Sequence, residues 1–257
     1  MLDRRMLWVG LIWFAVLLFL VRSARRQRAL LVEGNIGVGK STYVTALAAQ
    51  TDFKLVPETI GARFLSAFYT EPHVYGFALQ MTQHITRAIL LVRAQSEYQT
   101  TLLDRSIVGD YAFALWNYAS GNLTARAWAL YQEQAGASIA EALQRYDADK
   151  IHIVFLHDDA QACSDRQRAR GDAADVPLSY LQGIEAAHLI VLSLVPAKYN
   201  VTELHWDEFA RRPAPLPRPT PHRRSTLPTR AREACDALES PAREHLLAFY
   251  EAGSAGE

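Results

Sequence analysis

Cysteine is scarce: Cys163 and Cys235 are the only two in 257 residues. Two thiols cannot make a disulfide framework, so the fold depends on its core, and a reducing compartment suits it. Net charge is also missing, with 27 basic residues against 27 acidic ones. That balance argues against a general nucleic-acid binder. Lysine is nearly absent: only Lys40, Lys54, Lys150 and Lys198 occur, and arginine carries the rest of the positive charge. A lysine inside a glycine-rich loop is therefore informative. There is no internal repeat. Half the residues are hydrophobic, and the length suits one α/β domain with short extensions.

Some of that hydrophobicity sits in one block. Residues 7–21 read LWVGLIWFAVLLFLV, a little short of the roughly 17–25 residues of a spanning helix. Arg4 and Arg5 precede it, and Arg22, Arg25, Arg26 and Arg28 follow. The heavier positive flank is C-terminal, which places the body of the protein on the cytosolic side of a membrane. No small-residue cleavage site follows the run. The expectation is a signal anchor or membrane-associated helix. A mitochondrial targeting segment and a soluble cytoplasmic protein are the alternatives. Residues 1–28 form this segment with its basic flank, and residues 29–210 form the main domain. Residues 211–257 open with RRPAPLPRPTPHRRSTLP, an extended linker, and an amphipathic helix is expected from Arg230 to Glu251.

In the main domain, apolar runs alternate with segments of helical spacing. Strands are expected at Arg28 to Val32, at FKLVPE ending in Glu58, at TTLLDRS, at KIHIVFL from Lys150, and at YNVTEL. Helices are expected at Lys40 to Gln50, Val74 to Gln99, Ile107 to Tyr118 and within Thr124 to Tyr146. This order predicts an α/β fold with a parallel five-stranded sheet flanked by helices. Ligands in such sheets bind beyond the carboxyl ends of the strands. The polar signals sit there: the glycine-rich loop, Glu58, Asp104 and Arg105.

Gly34, Asn35, Ile36, Gly37, Val38, Gly39, Lys40 and Ser41 fit the G-x-x-x-x-G-K-[ST] pattern of a P-loop NTPase, with Thr42 next. Its glycines let backbone N–H groups converge on phosphate oxygens. Lys40 reaches the β/γ-phosphates, the Ser41 hydroxyl ligates Mg²⁺, and the following helix points its positive end at the anion. ATP and Mg²⁺ are the expected donor and cofactor.

The loop does not name the acceptor. EGNIGVGKST, FYTEPHVYGFALQ, DRSIVGDYAFA and RARGDAADVPLSYLQ, taken in order, resemble the deoxynucleoside kinase family from about Leu30 to Phe209. Thymidylate kinases, the nearest competitors, usually carry an acid where Asn35 stands. The resemblance implies that Glu58 accepts the 5′-hydroxyl proton. Arg105 would neutralise charge beside it. Asp104, where the family more often has Glu, would hold Mg²⁺ together with Ser41. Gln80 would pair with the base edge, beside Arg87 two helical turns on and Asp110. An Arg–Asp pair crowds a thymine methyl group, so deoxycytidine or a purine deoxynucleoside is expected over thymidine. Tyr69 would meet the sugar 3′-hydroxyl. Its usual partner is a lid acid, for which only Asp172 is at hand because the next residue is Ala173. Thr59-Ile60 replaces the family's proline after the glutamate, leaving Phe64 as the candidate sugar wall. Arg166, Arg168 and Arg170 would close over the phosphates, and LHWDEF at 204–209 resembles the loop over the donor base.

The expected activity is transfer of the ATP γ-phosphoryl to a deoxynucleoside 5′-hydroxyl. A thymidylate-type monophosphate kinase and a catalytically impaired, membrane-tethered nucleotide-binding protein are the alternatives. A homodimer through the long helix is a further expectation.

Overall fold

Five short runs of leucine, valine and isoleucine are expected as strands, and all five pair in parallel. They are β1 (Ala29–Glu33), β2 (Lys54–Val56), β3 (Thr101–Asp104), β4 (Ile151–His157) and β5 (Asn200–His205), in sheet order β2-β3-β1-β4-β5. The computed structural model describes residues 28–58, 60, 62–171, 176–211, 226–239 and 241–255. The apolar run at 7–21, the lid residue Asp172 and most of the Pro/Arg-rich stretch lie outside them. Among the described residues no helix is long and apolar enough to cross a membrane.

The central strand β1 is buried along its whole length. Its alternating side chains feed two cores, as the pleat requires. Leu31, Leu103, Ile153 and Phe155 face one, and Leu30, Val32, Leu102, Val154 and Leu156 face the other. The second core is closed by α1 (Lys40–Gln50) and α7 (Ala160–Arg170), through Tyr43, Val44, Leu47 and Cys163. α2 (Ala62–Thr70) leads into the long α3 (Pro72–Ser96), and α4 (Ile107–Ala119) follows β3. α5 (Ala125–Ala135) and α6 (Ile139–Gln144) precede β4, and α8 (Leu178–Ser193) and the short α9 (Trp206–Arg211) flank β5. Side-chain caps start several of these helices. Ser106 accepts from Val108 N, Thr124 from Ala127 N, Ser138 from Glu141 N and Asp159 from Ala162 N, satisfying otherwise orphaned amides.

Three boundaries differ from expectation. β2 ends at Val56, two residues before Glu58, because Pro57 has no N–H to donate to the ladder. α3 begins at Pro72, which suits a first helical turn, and ends at Ser96, not Gln99. The single helix expected from Arg230 to Glu251 is two helices, α10 (Leu227–Asp236) and α11 (Ala242–Ser254), parted where Pro241 caps the second. These helices complete the first core. Leu227, Ala231, Cys235, Leu246 and Tyr250 are buried there against α4 and α8. On the outside of α3, Ile85, Ile89 and Val92 form an exposed apolar stripe.

Candidate active site

The loop between β1 and α1 is held by its own polar groups. Gly39 precedes α1 at φ 102°, a left-handed conformation natural to glycine, with the Trp206 ring packed where a Cβ would stand. Asn35 ties the loop to α8: its Nδ2 donates to Leu181 O at 2.8 Å, and its Oδ1 accepts from Ile36 N at 2.8 Å. Lys40 Nζ donates to Asn35 O at 2.6 Å. Burial and the Arg105 charge push the Lys40 ammonium down to about 7, against the pull of Glu58, Asp104 and Glu33. Ser41 Oγ donates to Asp104 Oδ2 at 2.8 Å, while Asp104 Oδ1 is buried without a hydrogen-bond partner.

At the ends of β2 and β3 the charges converge on Glu58. Arg105 Nε lies 2.9 Å from Glu58 Oε1 and Arg87 Nη2 lies 2.7 Å from it. Arg87 Nη1 meets Asp110 Oδ1 at 2.5 Å, so one guanidinium joins two carboxylates. Burial raises the Glu58 carboxyl, but Arg105, Arg87 and Lys40 together outweigh it and hold the group below its ordinary value. Asp110 is more deeply enclosed, and burial pushes it up despite Arg87. His84 Nδ1 stands 3.9 Å behind Asp110. Burial, aided by Arg145 and Arg87, lowers that imidazole to about 4, so it is neutral at physiological pH. The Arg105 guanidinium lies 4.7 Å over the Phe113 ring.

Most of these groups line a half-open cavity, concave and mostly apolar as small-molecule sites are. Gln80, Gln83, Arg87, Asp110, Tyr69 and Glu58 supply its polar wall, and Phe68, Leu79, Phe113 and Tyr180 supply much of its apolar wall. A second, more open cleft is lined by Ser41, Asp104 and Glu58. Glu58 therefore belongs to both, between the phosphate loop and the first cavity.

The family model for deoxynucleoside kinase matches residues 30–211. This chain belongs to the deoxynucleoside kinase family. It is 26% identical over 200 residues to deoxycytidine kinase 2 of Gallus gallus, covering 64% of this chain and 73% of that protein. It is likewise 26% identical over 204 residues to mitochondrial thymidine kinase 2 of Homo sapiens, covering 74% and 75%. Among solved structures, deoxyadenosine kinase from M. mycoides with bound dATP shares the fold at a TM-score of 0.60. It is 15% identical and covers 70% of this chain and 91% of that one. The chain is accordingly an ATP-dependent deoxynucleoside kinase, a phosphotransferase.

In this kinase the sequence-expected residues Glu58, Tyr69, Gln80, Arg87, Arg105 and Asp110 all line that cavity. Ser41 and Asp104 pair at the loop. The three arginines expected over the phosphates part company. Arg166 Nε donates to Gly37 O at 2.8 Å, its Nη2 pairs with Asp158 at 2.7 Å, and its guanidinium lies 5.3 Å over Trp206. Arg168 is largely exposed and pairs with Asp165 at 3.4 Å, and Arg170 is exposed at the end of α7. Phe64 does not line the cavity; Leu65 and Phe68 do, because the turn of α2 presents those positions inward. Gln83, Phe113 and Tyr180 were not singled out from sequence. Gln83 had a readable signal, since it lies one helical turn from Gln80 on the same face.

Nucleotide binding is expected to take up a proton at Lys40. The free ammonium ionises near 7, and a bound polyphosphate favours its charged form, so at pH 8 the neutral amine must gain a proton. Calorimetry of ATP binding at pH 8, in buffers of different ionisation enthalpy, should show uptake of a substantial fraction of one proton. An enthalpy independent of the buffer would contradict it.

Proposed function

We propose that this kinase phosphorylates the 5′-hydroxyl of deoxycytidine or a purine deoxynucleoside in preference to thymidine, with Glu58 as the base. The supporting observation is the shared guanidinium of Arg87, 2.5 Å from Asp110 and 2.7 Å from Glu58, beside the amide of Gln80. A glutamine amide offers an acceptor and a donor pair that match the edges of cytosine or adenine, while the charged pair leaves little room for a thymine methyl group.

The nucleoside enters the cavity with its base toward Gln80 and its 5′-oxygen toward Glu58. Glu58 accepts the hydroxyl proton as that oxygen bonds to the γ-phosphorus. The bond from the γ-phosphorus to the bridging oxygen breaks, and ADP leaves. Arg105 offsets charge at the 5′-oxygen. The loop amides and Lys40 hold the donor phosphates, and Arg166, Arg168 and Arg170 close over them on binding, which requires Arg166 to leave Gly37. Tyr69 meets the sugar, with Asp172 as its candidate partner. The residues at the loop fit a divalent cation, because Asp104 Oδ1 is buried without a partner beside the Ser41 hydroxyl. Ser41 and Asp104 would hold Mg²⁺, which neutralises phosphate charge when bound.

Residues 7–21 are proposed to anchor the enzyme at a membrane with the kinase domain cytosolic. Fractionation of the full chain should leave it in the membrane pellet after a high-salt wash, and release by salt alone would exclude a spanning helix.

The function is tested by assaying the four deoxynucleosides with ATP. Turnover should favour deoxycytidine or a purine. Glu58→Gln should lower kcat by about 100-fold or more, the scale of a lost general base. Gln80→Leu should lower kcat/KM for the preferred substrate by about 10- to 100-fold, the scale of a lost bidentate base contact. Equal use of thymidine, or an unaffected Glu58→Gln enzyme, contradicts the proposal.

A further inference from the structure

Glu33 closes β1 and stands immediately before the phosphate loop, yet it lines neither cleft. It is fully buried at the end of an otherwise apolar strand, where a carboxylate is costly to desolvate. Its Oε1 accepts from Ser106 N at 2.8 Å and also from the Ser106 hydroxyl. Its Oε2 lies against Gly109 in the first turn of α4, so closely that a Cβ on Gly109 would collide with it.

The opposite strand end answers in kind. Arg105 N donates to Val32 O at 3.0 Å, and Arg105 Nη1 donates to Gly34 O at 2.9 Å. β1 and β3 are parallel neighbours with Val32 opposite Asp104, so the two strand ends are clasped crosswise. The side chain of residue 33 grips residue 106, and the side chain of residue 105 grips residue 34. Between these grips Arg105 has φ 73°, the sole non-glycine with positive φ among the described residues. An L side chain holds that conformation only where its surroundings over-determine it.

We propose that Glu33 is a positioning residue: it fixes the Asp104–Ser106 turn in its left-handed form and so aims the Arg105 guanidinium at Glu58. One buried carboxylate thereby sets the phosphate loop and the acceptor's base in register. The proposal rests on the roles given above to Glu58 and Arg105. Glu33 is faced by Ser106, Gly109, Arg105 and Arg87, and Glu58 is faced by Arg105, Arg87 and Lys40. If the clasp fails, Arg105 leaves Glu58, and Glu58 becomes easier to protonate.

Two variants test this. Glu33→Gln removes the charge but keeps an acceptor for Ser106. Gly109→Ala leaves the charge and displaces the carboxylate. Each should lower kcat by about 10- to 100-fold, the scale of a small misplacement of a catalytic group. KM for ATP and for the nucleoside should stay within about threefold. The acid limb of the kcat–pH profile should move to higher pH, a shift that mere loss of stability would not produce. Unchanged kcat and an unmoved limb in either variant overturn the proposal. So does loss of folded protein in both by circular dichroism, which would make Glu33 a core residue only. Glu58→Gln, run in parallel, separates the two levels: wild-type kcat there refutes the base assignment itself, whatever the Glu33 variants do.

Discussion

Two arginines share one carboxylate in the floor of the cavity, and the rest of the site is arranged around that contact. Arg105 approaches Glu58 at 2.9 Å from the end of β3, and Arg87 approaches at 2.7 Å from α3. A general base for a hydroxyl must be ionised and fixed in direction. Burial alone would disfavour the ionised form, so the cations are what make a partly enclosed glutamate usable. They also explain why three elements from distant parts of the chain meet here. The segment just past β2 delivers the carboxylate, the left-handed turn after β3 delivers one arginine, and the long helix delivers the other.

Arg87 serves a second purpose through the same guanidinium. Its other nitrogen holds Asp110, next to the amides of Gln80 and Gln83 in the cavity wall. With the roles proposed for Glu58 and Gln80, base recognition and proton acceptance are therefore not separate compartments. A base that disturbs the Arg87–Asp110 pair also disturbs the charge that keeps Glu58 ionised. Discrimination between substrates would then appear in turnover as well as in affinity, as expected where binding interactions are tuned to the transition state. Glu58 also opens onto the cleft lined by Ser41 and Asp104, so the proposed base faces the phosphate-loop side as well.

Much of this was legible in the sequence because it was carried by local pattern. The alternation of apolar runs with helical spacing gave the parallel sheet, and the glycine-rich loop before Lys40 announced a nucleotide. Glu58, Gln80, Arg87, Arg105 and Asp110 could be named because the stretches around them resemble those of the deoxynucleoside kinase family. What escaped was contact between segments far apart in the chain. Arg87 reaching Glu58 spans 29 positions, and Glu33 reaching Ser106 spans 73; no periodicity encodes either. Phe64 was the candidate sugar wall, but the phase of the nine-residue helix turns Phe68 to the cavity instead. The two C-terminal helices were underestimated for a similar reason. Their apolar positions are few, and only the first core reveals that Leu227, Ala231 and Cys235 are needed to close it. Arg166 was expected over the phosphates with Arg168 and Arg170, and nothing local in the sequence announces its contacts with Gly37, Asp158 and Trp206.

The central claim is that Arg105 and Arg87 hold Glu58 ionised in the folded protein. Carbon-13 NMR titration of the Glu58 side-chain carboxyl, assigned by comparison with Glu58→Gln, reads this without reference to turnover. The account predicts a midpoint below the ordinary glutamate value of 4.5. A midpoint at or above that value would show that burial prevails over the two arginines and would contradict it.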